Sequence, residues 1–590
     1  MDNKKLDKLL KANDFAGAKE YLLSLSEEEQ KKIEIQKNLG LCNVNLAKLD
    51  EALSNFQYVC EKNPEDALAL YYVATIYIEK EKLDEAQKML MKVITLRSDY
   101  VNAYKSLCIC LLKQKKYTEV LSFKEKVLQL DSEDSQVYDI LANAALELGQ
   151  HDLSIQYLEK AAELEPDNFK YYNKLGVVYF TKHDVNTSLE YYKIALEKSD
   201  KEPSLLYNLG MVYFSQQQFE LSANYLSKAI ELERKVSYVT AYSMASLKAG
   251  MFKQAKAACE ELLRHEPDKE NHKYNLACAY EGLGDLEKAS EIIEKILTFN
   301  MSSVQLKLHL ASLYSRREMI EAAKVLYADL ISSGVINNNI LYEYAVLCAK
   351  SGDTDKAEEI FKRIISNDEE FALAYKDLAI IYLSRKFFDR AEEYFKKALK
   401  SAPENEYVVF EYANYFYLMS DFEQAKKLYS KLLKKDDLPV YMLRSIALNY
   451  MAMNMLPKAK EILLKAIEKD AQDIDVLFHL AQLYYAEQNY QNARQLLEDA
   501  YTLVPNTEIA NMLAQTYMAI GMYNDAYALY NVVSLALPKN VSVMYSLAKC
   551  KFEQGDMETA KSHIDDLLKI LPEHEEAQEL MEKIKEKEIK

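Results

Sequence analysis

The chain has no tryptophan, and it has only 12 glycines and 10 prolines in 590 residues. So few breakers of regular structure leave little room for the turns of a β protein or for long flexible linkers. No run of about 18 apolar residues occurs, so no membrane-spanning helix is expected. The opening MDNKKLDKLLKANDF lacks the apolar centre of a secretory signal, and none is expected. A basic stripe is missing too. The net charge is −18, whereas nucleic-acid binders carry the opposite sign on their binding face. The short pair Lys434-Lys435 is faced by Asp436-Asp437.

The signatures of common chemistries are also absent. There is no G-x-x-x-x-G-K-[ST], H-E-x-x-H, C-x-x-C, G-x-S-x-G or EF-hand loop. The eight cysteines are Cys42, Cys60, Cys108, Cys110, Cys259, Cys278, Cys348 and Cys550. Most lie at inward helix positions, which reads as free buried thiols of a reducing compartment, so a cytoplasmic location is expected. Cys108 and Cys110 point about 200° apart on a helix and do not share an ion. His265 and His272 flank the loop EPDKEN, where a solvated connection is expected rather than a metal site. No catalytic group, metal or cofactor is expected.

What is present is helix-forming. Leu, Ala, Glu, Lys and Tyr dominate, and the reading is all-α. In Ala372–Asn405, residues Tyr375, Leu378, Ala379 and Tyr382 make one helical stripe. Ala391, Phe395, Ala398 and Leu399 make a second, and Pro403 stops it. The result is a helix hairpin below the roughly 40 residues that hold a core unaided. The equivalents of Ala379 recur every 34 residues, with two steps of 33: Gly40, Ala74, Cys108, Ala142, Gly176, Gly210, Ser243, Ala277, Ala311 and Ala345 before it, then Ala413, Ala447, Ala481, Ala514 and Ala548 after it. A small residue keeps the same beat in the second helix, from Ala52 to Ala560, with Val120 as the exception.

Such a period, with a first-helix aromatic and a terminal Pro, resembles the tetratricopeptide repeat. The family's Leu-Gly/Ala pair is matched by Leu39-Gly40, Leu175-Gly176, Leu378-Ala379 and Leu480-Ala481, among others, and its first-helix Tyr by Tyr77, Tyr280, Tyr382 and Tyr517. Tyr104, Tyr138, Tyr172 and Tyr375 stand where its early Trp is found. The resemblance implies an α-solenoid, a right-handed superhelix of stacked antiparallel helix pairs. Sixteen units are expected to start at Ile33, Ala67, Val101, Ser135, Phe169, Pro203, Val236, Glu270, Val304, Asn338, Ala372, Glu406, Val440, Ile474, Thr507 and Val541. This divides the chain into a degenerate N-terminal unit (1–32), an array (33–303), a weak unit where a hinge is expected (304–337), a second array (338–574) and a capping helix (575–590). The weak unit lacks a Pro stop and carries Ser332-Ser333-Gly334 and Asn337-Asn338-Asn339, which read as a long loop.

The resemblance also implies that first helices line a concave groove that holds protein segments. That face falls at the second, fifth, ninth and twelfth residues of each unit. The expected peptide-binding residues are Tyr207, Phe214, Tyr274, Tyr342, Tyr407, Phe410, Asn414, Tyr417, Arg444, Phe478, Gln482, Tyr485 and Tyr545, densest from Tyr407 to Tyr485. Tyrosine suits contact surfaces because it offers large area, few rotors and one hydroxyl. The carboxylate-gripping triplet of chaperone-binding members is not matched, although Lys105, Lys376 and Arg444 supply isolated cations. The asparagine ladder of other members is reduced to Asn38, Asn208 and Asn275. The expected function is a non-catalytic scaffold or adaptor that binds protein segments, not nucleic acid. The alternative is a regulatory or targeting subunit of an enzyme, secretion or pilus assembly.

Overall fold

The computed structural model describes residues 3–435 and 437–589; Asp436, from the Lys434–Asp437 charge run, lies outside them, as do residues 1, 2 and 590. The protein is all-α: 79 % helical, with 37 helices in consecutive pairs and no strand among the described residues. Every first helix begins at the residue where the period puts it, from Ile33–Asn45 through Ala372–Ser384 to Val541–Glu553.

One backbone device repeats at each hairpin turn. The fifteenth residue of every unit is left-handed: Ala47, Glu81, Lys115, His183, Gln217, Glu318, Lys386, Ser420, Asn454 and Gln488, plus Gly149, Gly250, Gly284, Gly352, Gly521 and Gly555. At Lys386 (φ 63°) its N–H bonds the Leu383 carbonyl and the next N–H, of Phe387, reaches back to Tyr382, both at 2.9 Å. This motif satisfies carbonyls that a helix end leaves open and turns the chain back on itself.

The two helices of a pair approach closely at the small residues. A Cβ added to Gly40 would lie 2.7 Å from the Phe56 ring, and one on Gly176 would lie 2.6 Å from Tyr192. Elsewhere alanine fills the site, as at the fully buried Ala379 and Ala413. Where the second helix carries serine, its hydroxyl donates across the pair: Ser154 to the Ala142 carbonyl at 2.9 Å, and Ser188 and Ser222 to the Gly176 and Gly210 carbonyls at 2.7 Å. Val120 is the bulky exception, and its helix is split into Tyr117–Ser122 and Lys124–Leu130 around Phe123.

Successive pairs are tied by polar straps as well as by apolar packing. The first-helix tyrosine reaches back to the preceding second helix: Tyr382 to Glu358 at 2.8 Å and Tyr517 to Glu498 at 2.9 Å. An aspartate at the helix start does two jobs. Asp66, Asp134 and Asp473 each accept a backbone N–H of their own helix and also pair with a cation of the preceding unit, Lys37, Lys105 and Arg444 respectively.

The chain divides into two compact units, Met1–Ser302 and Ser303–Lys590. In the first, the buried side chains form a series of separate clusters, such as Leu6 to Cys42 and Ala52 to Ile76. In the second, one cluster runs unbroken from Ala311 to Leu483. Residues Ser333 to Asn337 form a short link between Ile320–Ser332 and Asn338–Lys350. Asn337 caps the latter helix by accepting the Ile340 N–H at 2.8 Å. The last helix, Glu575–Ile589, buries Ala577, Leu580, Met581 and Ile584 against the final hairpin.

The turn motif makes a prediction with a sign. Nothing lies within 4 Å of a Cβ placed on Gly352 (φ 87°), so Gly352→Ala should cost about 1 kcal/mol through conformation alone. Lys386→Gly should be neutral or slightly stabilising, because relief of strain offsets a glycine entropy loss of about 0.5–1 kcal/mol. Urea midpoints read by circular dichroism check both; equal loss in the two variants would contradict the assignment.

Candidate functional site

The second, fifth, ninth and twelfth residues of a first helix form a stripe beside the one used for packing. In the unit Met1–Ser302 the expected residues along it are spread out. Tyr207 is half-buried and stacks on Tyr238 of the next first helix, with ring centres 4.8 Å apart. Phe214 meets the edge of Phe219 at 5.3 Å. Tyr274 is the more open, at 37 % exposed. Asn208 donates to Asn173 at 3.0 Å, so this rung of the asparagine series is bonded within the protein.

In the unit Ser303–Lys590 the face is denser. Tyr342 packs between Phe361 and Phe371, with centres 5.9 and 5.5 Å away, and its hydroxyl donates to Asp377 at 2.6 Å. Burial and that carboxylate push its phenol well up. Lys376 pairs with the same Asp377 at 2.7 Å. One unit further on, Asn414 accepts the Tyr429 hydroxyl at 2.6 Å and offers its amide to Glu411 at 3.4 Å. Desolvation raises the Glu411 carboxyl above its ordinary value; the Asn414 hydrogen bond and Lys376 oppose the rise, and Asp377 adds a smaller one.

The aromatics of this face separate into two kinds. Phe410 is 4 % exposed, held against Tyr429 and edge-on to Tyr441 at 5.4 Å. Phe478 is 9 % exposed. Both serve the core, because each is covered by a neighbouring helix. Tyr407 (54 % exposed) and Tyr441 (41 %) stand open. They share the second position of adjacent first helices, Glu406–Leu418 and Val440–Ala452. Tyr417 lies half-buried on Phe422 at 5.6 Å, and Gln482 bonds His479 at 3.0 Å. Tyr485 and Tyr545 come together on one cleft of about 500 Å³, with Tyr523, Tyr530, Gln515 and Lys549.

The cations singled out from the sequence are engaged. Lys105 pairs with Asp134, Lys376 with Asp377, and Arg444 with Asp473 at 3.4 Å and with Asp475. Two features of the face were overlooked in the sequence although their signal is periodic. Glu343, Asp377 and Glu411 occupy the sixth position of three successive units, and Tyr441 repeats the position of Tyr407.

The remaining titratable candidates are structural. Burial pushes the Cys108 thiol up to about 12 and also raises Cys110, whose sulfur donates to the Leu83 carbonyl at 3.2 Å. His272 is buried rather than solvated, with Nε2 3.0 Å from Glu266. Among the described residues, no cluster of three metal-ligating side chains occurs, and no helix is long and apolar enough to cross a membrane.

Comparison with known proteins follows the same register. Models of the tetratricopeptide repeat match residues 67–100, 203–236, 246–303, 345–406, 376–437, 444–507, 484–540 and 517–584, and a TPR repeat model matches 142–183. No curated protein matches the chain. Similar solved structures include the APC/C hetero-tetramer Cut9–Hcn1, at 16 % identity over 96 % of this chain and 98 % of that one, with a TM-score of 0.37. MamA from Desulfovibrio magneticus RS-1 is 24 % identical over 28 % of this chain and 95 % of its own, with a TM-score of 0.28. YrrB, described as a TPR protein with an unusual peptide-binding site, is 22 % identical over 31 % and 94 %, with a TM-score of 0.26.

The two kinds of aromatic should respond differently to truncation. Phe410→Ala opens a cavity in a packed core and should cost about 3–5 kcal/mol. Tyr407→Ala removes an exposed ring and should change stability by less than about 0.5 kcal/mol. Denaturant midpoints decide; a loss at Tyr407 equal to that at Phe410 would mean that Tyr407 is a packing residue.

Proposed function

The chain belongs to the tetratricopeptide repeat family, generally non-catalytic protein-interaction scaffolds, and from that premise we propose that it holds extended protein segments along the first helices of residues 338–553. The single observation that carries this reading is the open tyrosine pair Tyr407 and Tyr441 on adjacent first helices. Tyr407 leaves more than half of its surface in water, and Tyr441, although its edge rests on Phe410, still exposes 41 % of its own, so both rings offer area to a partner.

The flanking groups suit backbone recognition. Gln482 and Gln515 present amides, Tyr417 and Tyr485 present hydroxyls, and all four lie partly exposed. An extended segment would gain many shallow contacts, each weak, whose sum depends on how many successive units it spans. The chain works in this reading as an adaptor; chemistry, where it occurs, belongs to what it holds.

The test is affinity capture with the full chain and with the double variant Tyr407→Ala, Tyr441→Ala. The captured proteins should fall by tenfold or more with the variant while circular dichroism stays unchanged. An identical captured set at equal yield would remove this face as the binding surface.

A further inference from the structure

Three carboxylates, Glu343, Asp377 and Glu411, stand at one position of three successive first helices. The middle one has a cation, Lys376, at 2.7 Å. The outer two have no ion pair among the described residues. Glu411 has the long 3.4 Å contact with the Asn414 amide; desolvation raises its carboxyl, while that contact and the nearby Lys376 charge oppose the rise. Glu343 is raised in the same way, by desolvation and by Asp377, with Lys350 opposing. A carboxylate moved out of water without a direct counter-charge is costly, and a well-placed, hydrogen-bonded cation offsets part of that cost.

Two other cations of the region are committed. Lys435 binds Glu406 at 2.6 Å, and Arg444 is held by Asp473 and Asp475. Next to Glu411 lie the open rings of Tyr407 and Tyr441; the Tyr441 phenol is raised by burial first, then by Tyr407, Glu411 and Glu406. Exposed aromatic faces beside a carboxylate that has no direct ion pair among the described residues make a receptor for a planar cation. A guanidinium stacks on the ring and donates to the carboxylate at the same time.

Resting on the reading above, we propose that the segment held on this face is basic, with an arginine lodged against Tyr407 and Tyr441 and paired with Glu411, and a second cation toward Glu343. Charge complementarity selects this occupant. An acidic segment would add a fourth carboxylate to the row, and a purely apolar one would leave Glu343 and Glu411 desolvated and unpaired.

The experiment is fluorescence anisotropy with the full chain, near-physiological salt and labelled (Gly-Arg)₄, (Gly-Lys)₄ and (Gly-Glu)₄ peptides. The arginine peptide should bind most tightly and the glutamate peptide least. Glu411→Gln should weaken the arginine peptide by about tenfold, as one lost charge-assisted contact implies. The distant pair Asp565→Asn, Glu573→Gln removes two exposed charges of the same sign and should leave the affinity unchanged. Equal weakening by that distant pair means diffuse attraction to an acidic protein and overturns the proposal. No effect of Glu411→Gln, or preference for the glutamate peptide, also overturns it. Capture that is lost with Tyr407→Ala, Tyr441→Ala yet intact with Glu411→Gln keeps the face as a binding surface and rejects its basic occupant. Loss of neither rejects both.

Discussion

The structure depends on one contact, repeated: a small residue of a first helix against a large side chain of the second. Gly176 under Tyr192 and Gly40 under Phe56 leave no room for even one methyl group. That closeness makes a tight hairpin, but a hairpin still exposes its outer apolar face. Only the next pair covers it. Stability in such a chain is therefore a sum of local terms and neighbour terms, with no single core to hold everything at once. The unbroken cluster from Ala311 to Leu483 marks where neighbour terms are best connected.

Because packing consumes one stripe of each first helix, the adjacent stripe is left over. What stands there is free to differ from unit to unit, and it does. Phe410 and Phe478 are drawn into the core, Tyr342 is tied down by Asp377, and Tyr407 and Tyr441 stay open. The polar straps explain why some charges are not available for ligands. Lys105 and Arg444 are spent on the helix-start aspartates of the following unit, where they join one pair to the next. The aspartate is thereby a cap and a staple together.

The start of every first helix was legible because the period is itself a packing requirement: a residue such as Ala379 must be small wherever two helices touch. The turns were not legible in the same way. Ten of the sixteen left-handed turn residues are not glycine, so composition hides a conformation that hydrogen bonds to the preceding helix impose. The face was legible in position but not in exposure. Spacing puts Tyr407 and Phe410 on one stripe; only the neighbouring helix decides that one is open and the other closed. The sixth-position carboxylates were in plain view at intervals of 34, but their meaning depends on which cations reach them, and that is set by side chains two helices away.

Hydrogen exchange across the whole chain tests most directly the claim that each pair stands only through its neighbours. Protection should be graded, highest between Ala311 and Leu483 and falling toward the cap helix Glu575–Ile589 and the first helices of the chain. A single common protection level from one end to the other, lost in one cooperative step, would contradict it.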